Sequence, residues 1–276
     1  MTEQSVARRM FELVEPIGVI PYSADEPNET MFALGFTNYW DTYFAGRAAP
    51  LGLVAAEVVD ALFYNFAPGE VARHIPNVWR TTTPELAIAA RQAGCVKALR
   101  RILGEHVDSP AFARAAGLLT KAATSAPVEG RPMYAALRAM QVPDDTVGRL
   151  FHAASLLREH RGDGHIAALM AESVGGLEAH VLYALGRDMP AEEFGRIHHL
   201  PAAQLAAVKA GMRDRGLIGD DGCLSAQGRA VKQRVESLTD HLAAKPYENL
   251  EPGELDELTD ALEPLARLLL AAQDWS

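Results

Sequence analysis

The spacing of apolar and polar positions predicts a chain built chiefly of helices. Val54, Val58, Leu62 and Phe66 recur every four residues, and Pro50-Leu51-Gly52 and Pro68-Gly69 bracket them, so a helix is expected over Leu51 to Phe66. Thr83-Pro84-Glu85 supplies an N-cap, a first-turn proline and an acid for a helix reaching about Leu103. Further helices are expected over Pro110–Thr124, Arg131–Met140, Asp144–Arg158, Gly164–Glu172 and Gly176–Leu185, with Asp163 and Ser173 capping the last two. Residues 14–46 mix aromatics with Gly, Pro and Asn and predict no single element. Near the C-terminus, Glu251 to Ala272 places Leu255, Leu258, Leu262, Leu265 and Leu269 along one side of a helix that contains Pro264. Such a stripe needs a cover, and a homodimer is the expected one.

The pattern changes at Met189-Pro190. From there to Pro246 it reads helix (Ala191–His198), helix (Leu200–Arg215), short hairpin, helix. Gly219-Asp220-Asp221-Gly222 is a tight-turn signal between Leu217-Ile218 and Cys223-Leu224-Ser225. The expected fold class is therefore mainly α. A helical N-terminal domain (1–188) packs on a C-terminal winged helix (189–246) with a short β-hairpin wing, and a final helical stretch (247–276) follows.

Residues 212–229, Met-Arg-Asp-Arg-Gly-Leu-Ile-Gly-Asp-Asp-Gly-Cys-Leu-Ser-Ala-Gln-Gly-Arg, resemble the wing region of MarR-type winged-helix proteins. More widely, the chain resembles a family of helix-turn-helix proteins common in actinobacteria. The likeness rests on Phe44-Ala-Gly-Arg47-Ala-Ala-Pro-Leu-Gly52, Phe63-Tyr-Asn-Phe66, Leu157-Arg-Glu-His-Arg-Gly-Asp-Gly-His165 and Thr239-Asp240. It spans nearly the whole chain and implies a regulatory fold without an established activity.

Composition sets limits on that reading. The chain has 276 residues, 49% hydrophobic, enough for a substantial core. Its two cysteines, Cys95 and Cys223, stand far apart and form no Cys-x-x-Cys spacing. No secretory leader is read at the N-terminus and no apolar run is long enough for a membrane span, so a cytoplasmic protein with no membrane partner is expected. Net charge is −10, which repels polyanions at long range. Residues 189–246 hold eight Lys/Arg against seven Asp/Glu, so the module itself is nearly neutral. In its second helix only Gln204, Lys209 and Arg213 are good candidates for contacts with DNA, a second candidate partner.

Two constellations carry candidate chemistry. Arg158-Glu-His-Arg-Gly-Asp-Gly-His165 packs six titratable residues into eight positions. Arg158 and Arg161 suit a carboxylate or phosphate, while His160, His165 and Asp163 suit proton transfer. The bland alternative is a capped helix junction with its arginines paired to carboxylates. The second constellation is Arg47 among small residues with Tyr64 and Asn65, a candidate small-molecule pocket or an ordinary aromatic core. Arg47, Tyr64, Asn65, Arg158, His160 and His165 are expected to converge on one cavity. The His-x4-His spacing does not match a zinc signature, so no metal is expected, and nothing identifies a cofactor. Phosphate-loop, dinucleotide and nucleophile-elbow motifs do not occur. The expected function is a ligand-responsive, winged-helix regulator-like protein binding a small organic molecule. The alternative is a small-molecule enzyme that uses the Arg158–His165 cluster.

Overall fold

The computed structural model describes residues 3–193 and 195–272. Fourteen α-helices follow one another among them. These are α1 (Glu3–Gly18), α2 (Ile20–Ser23), α3 (Asp25–Phe32), α4 (Tyr39–Ala48), α5 (Ala56–Phe63), α6 (Glu70–His74) and α7 (Pro84–Leu103). Then come α8 (Pro110–Ser125), α9 (Pro132–Arg138), α10 (Thr146–Ala171), α11 (Gly176–Leu185), α12 (Ala202–Asp214), α13 (Ala226–Leu242) and α14 (Pro252–Ala272). Among the described residues no helix is long and apolar enough to cross a membrane.

Several helix starts follow from local chemistry. The Thr83 side chain accepts a hydrogen bond from the Leu86 amide, and that of Ser109 accepts one from Phe112 at 3.1 Å, each ahead of a first-turn proline. The helix expected over Leu51–Phe66 is shorter. Ala49–Leu51 forms a 3-10 turn, Gly52 turns away at φ +71°, and α5 runs only from Ala56 until Tyr64 ends it at φ +60°. The helix expected over Ala191–His198 is replaced by 3-10 turns at Ala191–Glu193 and Gly195–Ile197, with Phe194 outside the described residues.

The chain divides into two compact units, each discontinuous in sequence. The first comprises residues 1–54, 74–163 and 240–276; the second comprises 55–73 and 164–239. In the first, Met10, Leu13 and Ile17 of α1 meet Leu99 and Leu103 of α7, Leu118 and Leu119 of α8, and Leu150 and Ala154 of α10. The α14 stripe Leu258, Leu262, Leu265 and Leu269 is buried in this same core, where α14 packs on α1, α7 and α8. Its cover is the chain's own, so the stripe no longer argues for a homodimer.

In the second unit the core is formed by Leu169, Val181, Leu182, Leu205, Met212, Leu217, Ile218, Leu224, Val231 and Val235. Here the expected β-hairpin wing is overturned, and with it the winged helix. Among the described residues no strand is formed, and 217–225 is a loop closed by one antiparallel bridge between Ile218 and Leu224. The Gly219 amide donates to the Cys223 carbonyl and the Ser225 amide to the Leu217 carbonyl, so the chain does reverse. The reversal is too short for a ladder. Leu217 is already held by the end of α12, its amide bonded to the Met212 carbonyl. Ser225 is already the cap of α13, accepting from the Gly228 amide at 3.0 Å. Gly228 fits because a β-carbon there would lie 2.1 Å from the Leu217 carbonyl oxygen.

The expected break at Gly162–Gly164 is also absent. α10 is continuous from Thr146 to Ala171, contributing its earlier turns to one unit and its last turns to the other. From Leu150 to Gly164 every residue except Arg158 and Gly162 is buried. Packing on all sides overrides the roughly 1 kcal/mol by which a mid-helix glycine disfavours helix. Asp163 is therefore mid-helix and caps nothing of its own. Ser173 does not cap α11 but closes α10 at φ +56°, its amide bonded to Met170 and that of Val174 to Leu169. The α11 start is held instead by Glu178, which accepts from the Gly175 amide at 2.9 Å.

Candidate functional site: a buried arginine cluster and the α12 surface

In the first unit, the middle of α10 carries His152, Ser155 and Glu159 at offsets of three and four, which places them on one side of the helix. Arg158 stands beside them. α4 brings Arg47 in its last turn, and α7 brings Arg91 and Gln92. Glu159 is the common counter-ion. One of its carboxylate oxygens accepts from Arg47 at 3.4 Å, and the other accepts from Arg158 at 3.0 Å. Arg47 also donates to the Tyr43 hydroxyl at 3.1 Å, and Arg158 to Glu15 at 3.3 Å. Arg91 donates to the Tyr22 hydroxyl at 3.4 Å and lies 5.6 Å from the Phe151 ring centre. Gly18 makes room for Arg158, because a β-carbon there would meet its Cδ at 2.8 Å.

The electrostatics follow from burial and pairing. Burial disfavours the Glu159 carboxylate, but Arg47, Arg158 and Arg91 outweigh it and hold the group below the usual carboxylate range. Burial likewise opposes the Arg158 cation, and Glu15 and Glu159 more than restore it. As named, the cluster sets three guanidiniums against two carboxylates.

Two small cavities open here. One, about 10 Å³, is lined by Arg47, Arg91, Ser155, Arg158 and Glu159 among others; the other, about 20 Å³, is lined by Arg91, Gln92, Phe151, His152 and Ser155 among others. Each is the size of about one water. The Ser155 hydroxyl and His152 Nε2 are buried with no hydrogen-bond partner among the described residues. Burial keeps the His152 imidazole pKa low, and Arg138 adds to this, so the ring is neutral.

The remaining residues singled out from sequence lie elsewhere. Arg161 donates to Asp240 at 2.7 Å, and its guanidinium covers the Phe11 ring at 4.3 Å. His160 packs edge-on against Tyr134 at 5.0 Å, and burial, aided by Arg131, pushes its pKa down to about 3. Asp163 accepts from the Tyr134 amide at 3.0 Å. Tyr64, Asn65 and His165 belong to the second unit and have local partners there. The Tyr64 hydroxyl donates to the Val174 carbonyl at 2.6 Å, Asn65 accepts from Arg196 at 2.6 Å, and His165 Nδ1 lies 3.0 Å from Thr239 Oγ1. The structure thus brings Arg47 and Arg158 onto one carboxylate and gives His160, His165, Tyr64 and Asn65 separate surroundings. Sequence reasoning missed Arg91, His152 and Ser155. The signal for the last two was their helical register with Glu159 inside an otherwise apolar run.

In the second unit, α12 packs on α11 through Leu205 and Met212, with Val208 half-buried between them. Its other side exposes Ala203, Gln204, Ala206, Ala207, Ala210 and Arg213, a smooth surface with few polar groups. Lys209 is half-buried and paired with Glu192 at 2.8 Å. Arg215 and Arg234 are likewise held, by Glu178 and Glu172, each at 2.7 Å.

A family model described as a helix-turn-helix family matches residues 7–275. No curated protein and no solved structure is significantly similar to the sequence. The match takes in both units, and the chain belongs to this helix-turn-helix family.

Proposed function

We propose that this helix-turn-helix protein is a ligand-responsive regulator whose first unit binds the carboxylate or phosphate of a small organic molecule at the arginine cluster. The observation that carries the reading is the pair of buried, partnerless polar atoms, Ser155 Oγ and His152 Nε2, beside Arg91 and Arg158. Each such group disfavours the folded state by about 1–3 kcal/mol unless something bonds to it. Guanidiniums offer parallel N–H donors that fit an oxyanion bidentately, and a serine hydroxyl can donate to the same group. The cavities accept one oxygen each, so a whole head group enters only if a side chain moves. Arg91 is the one least restrained, with a single long bond to Tyr22.

Family membership supports DNA as the partner of the second unit, with Gln204, Lys209 and Arg213 as the contacts α12 offers. The enzyme alternative has no comparable support, because His160 lies against Tyr134, and His165 pairs with Thr239 in the second unit. A crystal structure of the protein purified without added ligand tests the reading. Density for a small molecule between Arg91, Arg158 and Ser155 is expected. Ordered water alone, in protein from several expression hosts, would count against it.

A further inference from the structure

Outside the arginine cluster, the second unit assembles a second set of polar groups. Glu70 is the first residue of α6 and its side chain is 1% exposed. A backbone hydrogen bond from the Ala67 amide to the Arg196 carbonyl, at 3.1 Å, ties the approach to α6 to the segment ahead of α12. That segment continues as a turn through His198 and His199 before Pro201, the N-cap of α12. A turn, unlike a helix, lets consecutive side chains face the same way. Both imidazoles meet the same carboxylate: His199 Nδ1 is 2.7 Å from one oxygen, and His198 Nε2 is 3.6 Å from the other. The two ring centres are 3.9 Å apart. One donor atom from each of the three residues lies within 4.8 Å of the other two.

We infer that Glu70, His198 and His199 form a binding site for a divalent transition-metal ion of the zinc class. Two imidazole nitrogens and one carboxylate oxygen are the donor set such ions select, with at least one further position left for water or another ligand. Donors on a tetrahedral ion at ~2.0–2.1 Å stand about 3.3 Å apart. The 2.7 and 3.6 Å contacts run to different carboxylate oxygens, and the three donor atoms lie within 4.8 Å of one another, so closure to that spacing takes a shift of no more than about 1.5 Å. His198 and His199 are partly exposed, which gives an ion a way in, while the buried Glu70 anchors it. Arg73, with Nε 3.4 Å from Glu70, is the competing cation; its exposed side chain can swing to solvent when the carboxylate ligates. A bound ion fastens the lead-in of α12 to α6, so it would stiffen the start of the helix proposed to meet DNA. The inference is independent of the anion site in the first unit.

The test uses the full chain without an affinity tag, stripped with a chelator and desalted, then titrated with Zn²⁺ and separately with Co²⁺. One ion per chain is expected, with the visible absorption of tetrahedral cobalt. His198→Asn and His199→Asn, both in an exposed turn, should each weaken binding by more than the roughly 10–100-fold that loss of an outer-shell partner causes. His106→Asn, on the first unit, should bind as the parent does, and circular dichroism should show all three variants folded. Absence of saturable one-to-one binding in the parent would overturn the inference, leaving a carboxylate–imidazole ion-pair cluster. Unchanged affinity in both turn variants would overturn it equally.

Discussion

Asp163, in the middle of α10, accepts a hydrogen bond from the Tyr134 amide and so caps the first turn of α9, a helix whose own N-cap residue, Arg131, makes no side-chain cap. The carboxylate is buried. Burial raises its pKa from an ordinary 3.8 to about 6, with the Tyr134 bond opposing and the nearby Glu159 adding to the rise.

A raised carboxylate pKa means that the folded state binds the proton more tightly than the unfolded one. This contribution to stability is therefore full below about pH 4 and is lost as pH rises through about 6. Asp163→Asn keeps an acceptor for Tyr134 and removes the buried charge. The variant should be more stable than the parent above pH 6, by at most about 3 kcal/mol, with the difference vanishing near pH 4. Urea denaturation at pH 4, 6 and 8 measures it.

His160 acts with the opposite sign. Its folded pKa, pushed down to about 3 by burial and by Arg131, means that the unfolded chain takes up a proton first as pH falls. Stability from the neutral ring is present above about 6.5 and is lost as pH falls toward 3. His160→Gln should flatten that acid limb by a few kcal/mol while lowering stability at neutral pH through poorer packing on Tyr134. An acid limb as steep as the parent's would show that other groups set it.

Glu159 holds two arginines at once. Glu159→Gln removes the charge that balances Arg47 and Arg158, both largely buried, and should destabilise the protein by about 3 kcal/mol. The melting temperature should fall by several degrees, and less so in phosphate buffer than in chloride at equal ionic strength, because an oxyanion can stand in for the missing carboxylate.

If α12 engages DNA, binding should weaken steeply with salt. Lys209→Ala with Arg213→Ala should then lower both the affinity and the slope, the slope by about 0.9 for each phosphate no longer neutralised. Lys209 must first leave Glu192, so Arg213→Ala should have the larger effect. No binding at low salt by a folded protein would mean that the helix pair serves packing alone.

Much of the fold was legible because caps and periodicity are local. Thr83 and the α14 leucines each declared their element within a few residues. What sequence could not give was set by residues distant in the chain. Gly162 and Gly164 read as breakers, yet burial on all sides carried α10 through them. Gly219–Gly222 read as a wing, yet α12 and α13 left too little chain for strands. At the candidate site, Arg47 and Arg158 were visible as unusual charges in apolar surroundings. The third guanidinium, Arg91, was not, since a side chain brought in from another helix leaves no local trace.

The measurement that bears most directly on the proposed site is a titration with inorganic phosphate and with acetate, followed by thermal unfolding at constant ionic strength, on the parent, Ser155→Ala and Arg91→Gln. A saturable rise in melting temperature is expected for the parent, with apparent affinity ~10–100-fold weaker in Arg91→Gln and reduced in Ser155→Ala. A parent indifferent to both anions, or three proteins responding alike, would contradict an oxyanion site at the arginine cluster.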